Sequence, residues 1–411
     1  MHVPDTELSL HRLLDPAVLA NPYPLYKELR DRDPVHWDPF LHAWVVTRYE
    51  DVLHVLMRFS ASRTPTPEYF EAMGMRELAP IANLMVRLML FQDGQAHTRL
   101  RSLCACAFTP GRIAALRQHI QDIANQLIDR VCDSGTMDVV ADFAGPLPSI
   151  VTCEMLGVPA ADSEMLRGWS ADFAEMLGNF QHNPERSRHM LETVDNMTEY
   201  FQAAVREQQV RPRPGLVHAL ISAETDGMRL TEDEIVASLI VTMVGGQETT
   251  TNLIGNGLVS LLRNPEQLEL LRNDRSILTP AVEELLRYES PSQQTARLAP
   301  EDTEIGGKKI RKRQAVIAVM AAGNRDPERF PEPDRLDLQR SDNRHLAFGW
   351  AAHYCFGAPL ARMEGQIAFD TLLRRLPNLS LPPQEYVWRD NLGLRGLTSL
   401  RVTFDSNGES S

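Results

Sequence analysis

The sequence predicts a mainly α chain with a small β region, an α+β class. Three observations predict it. Apolar residues recur at three- and four-residue spacing over several long stretches. Strand-type runs are few and cluster late in the chain. One helical pattern continues from Thr231 to about Arg263 and is apolar on nearly every side, as a helix running through the middle of a domain must be.

Taken in order, "HWDPFLHAWVVTRY" carries the first strand signal. "FTPGRIAALRQHIQDIANQLIDRVC" is an amphipathic helix that stops at "DSG". Further amphipathic segments lie around 160–180, 186–209 and 214–224. Thr231 and Glu234 form a capping box ahead of the long apolar helix, which at 1.5 Å per residue spans roughly 50 Å. Thr279 is expected to cap the next helix, with Pro280 at its first position. "TEIGGKKIRKRQAVIAVMAA" reads as strands, with "IGG" supplying hairpin-turn glycines. "NRDPERFPEPDRLDLQRSDN" lacks any period and reads as an ordered meander. "NLGLRGLTSLRVTF" closes the chain with strand signal.

No Gly/Ser linker, charge block or repeat divides the 411 residues, so one domain over 1–411 is expected. A net charge of −13 argues against nucleic acid as partner. No apolar stretch reaches the roughly 18–20 residues that cross a bilayer, and the N-terminus lacks a signal-peptide pattern. The expectation is a cytoplasmic monomer, not bound to membrane. Five cysteines, an odd number, make a disulfide framework improbable on chemical grounds. Cys104, Cys106, Cys132 and Cys153 lie in apolar helical stretches and read as small buried thiols.

Cys355 is different. In "FGWAAHYCFGAPLAR", Gly349, Ala351, Ala352, Gly357 and Ala358 keep bulk away from the backbone around it. Pro359 predicts a helix starting just after the cysteine, whose positive end favours a thiolate. A thiolate beside a surface open to a flat ligand suggests an axial ligand to haem iron. A cysteine peptidase with His353 as base is the competing reading, but residues two apart on a loop seldom reach that geometry.

The stretch resembles the cysteine loop of the cytochrome P-450 family, F-G-x-G-x-H-x-C-x-G. The match runs through Phe348, Gly349, His353, Cys355 and Gly357 and on into Leu360-Ala361-Arg362. Ala351 replaces the second glycine, a change expected to be tolerated if its φ is negative. The resemblance implies the family's fold, with the long central helix over the haem, and Phe348, Gly349 and Gly357 in the haem-binding loop.

Three further segments carry the same resemblance, which extends from "NPYPLYKELR" to "LRGLTSLRVTF". "GGQETT" matches A/G-G-x-E/D-T; its glycines, each costing about 1 kcal/mol in a helix interior, predict a kink or widened groove. Glu248 and Thr249 would be the acid–alcohol pair that delivers protons to bound oxygen. Glu284 and Arg287 lie three apart on one helix face and match E-x-x-R. By resemblance, Arg340 completes that buried charge network. His97 and Arg101 in "HTRLR" are one helical turn apart; by resemblance they bind the haem propionates with Arg297 and His353.

The resemblance implies a haem-thiolate monooxygenase carrying haem b (iron protoporphyrin IX) and using O2 on a medium-sized hydrophobic substrate. Val241, Val244, Gly245, Gln293, Gln294, Thr295 and Leu394 are candidate lining residues. No flavin or nicotinamide fingerprint is present, so NAD(P)H acts only indirectly, through a ferredoxin or flavodoxin and its reductase. Arg112, Arg344 and Arg362 are candidate docking charges for that partner. Peroxygenase or oxidative-coupling chemistry on the same scaffold, or a non-catalytic haem sensor, are the alternatives; the retained Glu248–Thr249 pair argues against them.

Overall fold

The computed structural model describes residues 8–105, 108–178, 184–225 and 228–406. It is about 59% helical with a small sheet region, the mainly α class that the periodicities predict. Its helices of ten or more residues begin with α1 Tyr23–Arg32, α2 Tyr49–Arg58, α3 Gly94–Ala105, α4 Pro110–Asp129 and α5 Pro146–Leu156. They continue with α6 Ser163–Gly178, α7 Pro184–Val210, α8 Glu232–Leu262, α9 Leu278–Tyr288 and α10 Ala358–Arg375. Strands named below are β1 Val35–Asp38, β2 Ala43–Val46, β3 Thr136–Asp138, β4 Thr295–Leu298, β5 Thr303–Ile305, β6 Lys308–Ile310, β7 Ala315–Ala318 and β8 Arg401–Thr403. The chain forms two compact units.

The first unit holds the residues up to Phe59, Leu116–Leu147 and Thr249 onward. Its sheet runs β1-β2-β7-β4, with β2 and β7 parallel and the other pairs antiparallel. The period of two explains why β2 and β7 read as nearly unbroken apolar runs. Val46, Val316 and Ala318 join one core cluster with Tyr49, Val52 and Phe330. Val45 and Ile317, one step out of phase, join Leu10, Leu13, Leu25 and Leu29 in another. Both faces are buried, so neither can carry polar residues. The predicted hairpin is β5–β6, turning through Gly306 and Gly307 at φ of 54° and 76°. β3 pairs antiparallel with β8. Residues 324–343 form the expected meander without helix or strand.

Close packing of helices explains two glycines of this unit. A Cβ on Gly257 of α8 would lie 2.5 Å from Cζ of Phe369 in α10. One on Gly365 of α10 would lie 3.1 Å from Leu253 in α8 and 3.4 Å from Val282 in α9. The small residues let these helices approach until their side chains interlock. The start of α9 differs from the sequence expectation: Thr279 and Pro280 lie inside it. A 3-10 turn, Arg275–Ile277, precedes the helix, and Asp274 caps that turn by accepting from the Ser276 amide. Because the capped turn runs straight into the helix at Leu278, Thr279 is already helical and cannot serve as the cap.

The second unit holds Ser60–Ala115 and Pro148–Glu248. Its share of α8 opens with the predicted capping box: the Thr231 hydroxyl accepts from the Glu234 amide at 3.2 Å, and the Thr231 amide donates to the Glu234 carboxylate at 2.9 Å. Arg99 of α3 ion-pairs with the same carboxylate. α8 is helical through all 31 residues, Gly245 and Gly246 included. Gly246 makes room for α5, since a Cβ there would sit 2.7 Å from the Thr152 hydroxyl. Cys104, Cys132 and Cys153 are buried. Cys106 lies outside the described residues.

Candidate active site

The cysteine loop is shaped by short backbone bonds. The Gly349 amide donates to the Leu346 carbonyl at 2.8 Å, and the Cys355 amide donates to the Phe348 carbonyl at 2.9 Å. Residues 351–353 make a 3-10 turn, and Gly357 leads into α10, which has proline in its first turn. Gly349 takes φ of 69°, a region glycine reaches without strain. Ala351 takes φ of 54°, so the condition under which alanine would sit there without strain, a negative angle, is not met. The turn demands the left-handed region there whatever residue occupies it, and alanine bears the steric cost. Of the four described cysteines, three are buried and Cys355 alone is partly exposed. A Cβ on Gly357 would lie 3.8 Å from its sulfur.

Along α8 the candidate proton-delivery residues divide by face. Gly245 is exposed and Thr249, one turn on, is partly exposed, whereas Gln247 and Glu248 are buried. No atom lies within 4 Å of a Cβ built on Gly245, so one turn of the helix presents an open, smooth face. Val244 is buried and Val241 partly so.

His97 is buried in α3. Burial, and then the Arg101 charge, hold its ring below the usual histidine range, so it is neutral near pH 7. In the first unit, Arg297 on β4 is buried and donates to the Thr295 hydroxyl and the Ala296 carbonyl, both at 2.8 Å. His353 sits partly exposed on the turn before Cys355. Gln293, Gln294 and Thr295 lie beside Leu394, because the Gln293 amide donates to Gly393 and the Arg395 amide to Pro291, both at 2.8 Å. The side-chain amide of Gln293 donates to the Ser290 carbonyl at 2.7 Å, and that of Gln294 to Leu392 at 2.9 Å. Each glutamine therefore spends one side-chain N–H on holding the chain.

The Glu284 carboxylate is a hub. Arg287 donates to it through two nitrogens, each at 2.8 Å, and both side chains are completely buried. Arg340 reaches the same carboxylate at 3.2 Å, the Asp337 amide at 3.0 Å and the Asn343 amide at 3.1 Å. Arg287 also donates to the carbonyls of Asn324 and Pro333, both at 2.8 Å. Asn324, Pro333, Asp337, Arg340 and Asn343 of the meander are thus all tied to one ion pair.

One feature went unread in the sequence, and another was read only for its charge. Glu364 lies on the apolar stripe of α10 with Leu360 and Ile367; that placement was the available signal. It is buried, one carboxylate oxygen has no partner, and burial pushes its carboxyl up to about 8 despite a hydrogen bond with Thr250. Arg362 is the second. Its Nε and one terminal nitrogen grip Glu283 at 2.6 and 2.8 Å, and the other donates to the Tyr354 hydroxyl at 3.0 Å. Of the three arginines read as docking charges, Arg362 is committed internally, Arg344 is largely exposed beside Asp342, and Arg112 is exposed.

A partly exposed thiol in a loop rich in glycine and alanine, leading into a helix, in a mainly α chain with one long apolar helix, fits the class of haem-binding enzymes that the loop resembles. Residues 42–393 match the cytochrome P450 family. The chain is 39% identical to the biotin biosynthesis cytochrome P450 of Bacillus subtilis, over 94% of this chain and 97% of that one. It is 38% identical to 6-deoxyerythronolide B hydroxylase of Saccharopolyspora erythraea, over 93% and 96%. Its fold superposes on the crystal structure of P450BioI in complex with hexadec-9Z-enoic acid ligated acyl carrier protein, with TM-score 0.89, 36% identity and coverage of 95% and 100%. The chain belongs to the cytochrome P450 family and is a monooxygenase.

Family membership implies haem iron and O2. The residues suit that group: the one partly exposed described thiol lies in a loop where Gly349, Ala351, Ala352 and Gly357 carry little bulk, and a Cβ at Gly357 would lie 3.8 Å from the sulfur. None of the described helices is long and apolar enough to cross a membrane.

Proposed function

We propose that the chain, acting as one domain, inserts one oxygen atom from O2 into a medium-sized hydrophobic substrate, with the Cys355 thiolate as axial ligand of haem b. The observation that carries this is the setting of Cys355: partly exposed, flanked by Gly349 and Gly357, and just ahead of the N-terminus of α10. The positive helix end favours the thiolate, and the small side chains leave its sulfur open to a planar ligand. The Phe348 ring packs against Tyr354 and the Arg362 guanidinium, and its carbonyl holds the Cys355 amide. Haem, when bound to a thiolate, supplies the chemistry of O–O cleavage.

The chain's own residues do the rest. Arg101 and Arg297 offer fixed cationic donors to the propionates, and His353 and the neutral ring of His97 add N–H donors. Thr249 presents its hydroxyl on the open face of α8, and Glu248 behind it relays protons toward that hydroxyl. The Glu284–Arg287–Arg340 network holds the meander, and with it the thiolate side of the fold. Val241, Val244, Gly245 and Leu394 give mostly apolar contacts to substrate, while Gln293, Gln294 and Thr295 keep that wall in place. Electrons come from a ferredoxin or flavodoxin with its reductase, in the cytoplasm, to a monomeric enzyme. A carrier-bound acyl chain is one substrate form to screen, because the similar P450BioI structure holds one.

The test is the absorption spectrum of the reduced, carbon monoxide-bound protein, before and after Cys355→Ala. A thiolate-type Soret band that vanishes in the variant is expected. An unchanged band in the variant, or colourless protein despite ample haem supply, refutes the ligand assignment.

A further inference from the structure

Arg362 immediately invites a role in docking an acidic electron donor, yet its guanidinium faces inward. Glu283 of α9 takes two of its nitrogens, at 2.6 and 2.8 Å, and the Tyr354 hydroxyl takes the third at 3.0 Å. The guanidinium also lies over the Phe348 ring, 4.6 Å from its centroid, and that ring meets Tyr354 edge-on at 6.2 Å. His345 closes the circuit: its Nδ1 accepts from the Ala347 amide at 3.2 Å, which leaves Nε2 to donate to Glu283 at 3.2 Å. Phe348 and Tyr354 are the two residues that define Cys355, one by accepting its amide proton and the other by preceding it in the chain.

We infer that the Glu283–Arg362 pair is a clamp on the cysteine loop: it fixes Phe348 and Tyr354, and so the height of the Cys355 sulfur, and Arg362 is a positioning residue instead of a docking charge. The inference rests on the proposed role of Cys355. Burial alone would raise the Glu283 carboxyl, but the hydrogen bonds from Arg362 and His345 overcome it and hold it at about 2. The carboxylate is therefore ionised at any pH the enzyme meets, and the clamp stays closed. Only a planar fork with donors on three sides can hold Glu283 and Tyr354 at once; an ammonium, a point charge on a flexible stem, cannot reproduce it.

Five holoproteins test this: wild type, Tyr354→Phe, Arg362→Lys, Glu283→Gln and the double variant Glu283→Gln with Tyr354→Phe. The readouts are the iron midpoint potential, the rate of haem transfer to a haem-free globin, and amide hydrogen exchange over residues 348–357. Tyr354→Phe and Arg362→Lys should each speed haem loss by about tenfold, the scale of one charge-assisted hydrogen bond, shift the potential and deprotect the loop amides. Adding Tyr354→Phe to Glu283→Gln should bring little further change, because the two act in series. A docking charge would instead survive as lysine, and Tyr354→Phe would then leave potential, haem loss and exchange at wild-type values; that result overturns the clamp. If wild type itself lacks a thiolate-type spectrum, the ligand assignment fails separately, while loop exchange still decides for or against the clamp.

Discussion

Replacing Glu284 by alanine removes the acceptor for two arginines, a backbone amide and the Asn343 side chain at once. Arg287 has no exposed side-chain surface, so water cannot replace the carboxylate. Its bonds to the carbonyls of Asn324 and Pro333 survive, which solvates but does not neutralise the charge. Breaking one side of a buried pair costs about 3–5 kcal/mol, far more than the few tenths expected of an exposed pair. Unfolding entropy of about 2.1 cal/mol/K per residue, over 411 residues, converts that loss into a fall in Tm of roughly 4–6 °C. Far-UV circular dichroism melts should show it, with Glu284→Gln falling in between because an amide keeps one acceptor. An exposed comparison is Glu224→Ala, whose partner Arg229 is 72% exposed and which should barely move Tm. If Glu284→Ala melts within about 1 °C of wild type, the buried-network reasoning is wrong.

Ala351→Gly relieves the left-handed strain at φ of 54° but adds freedom to the unfolded chain. The net expectation is a stabilisation of roughly 0.5–1 kcal/mol, read as a higher urea midpoint at unchanged m-value; a lower midpoint contradicts the strain. Glu364→Gln tests the buried acid. The folded carboxyl keeps its proton up to about 8, whereas an unfolded one loses it near the ordinary glutamate value of 4.5. Between those values the unfolded state binds fewer protons, so wild-type stability should fall as pH rises, by on the order of 1.4 kcal/mol per pH unit from this group. The glutamine variant should match wild type near pH 4 and exceed it increasingly toward pH 8 in urea titrations. A stability gap that does not vary across that range excludes the raised pKa.

Local chemistry made much of this protein legible. The capping box at Thr231 and Glu234, the hairpin glycines Gly306 and Gly307, and the spacing of Glu284 and Arg287 each involve residues within one or two turns of chain. The start of α9 was misread for the same reason: Thr279 and Pro280 are good starting residues, but Asp274, a few residues earlier, is already a cap. The two adjacent glycines of α8 look alike in sequence, yet a side chain on Gly246 would strike Thr152 of another helix while one on Gly245 would have room.

By itself the sequence determined the class, the family and the loop that carries Cys355, because period, caps and motif spacing are properties of neighbouring residues. Only the tertiary structure decided that Ala351 is strained, that Glu364 is buried and protonated, and that Arg362 faces Glu283 and not solvent. Burial and charge pairing depend on partners tens or hundreds of residues away, and the energy of an ionisable group is set by those partners and by the water they exclude.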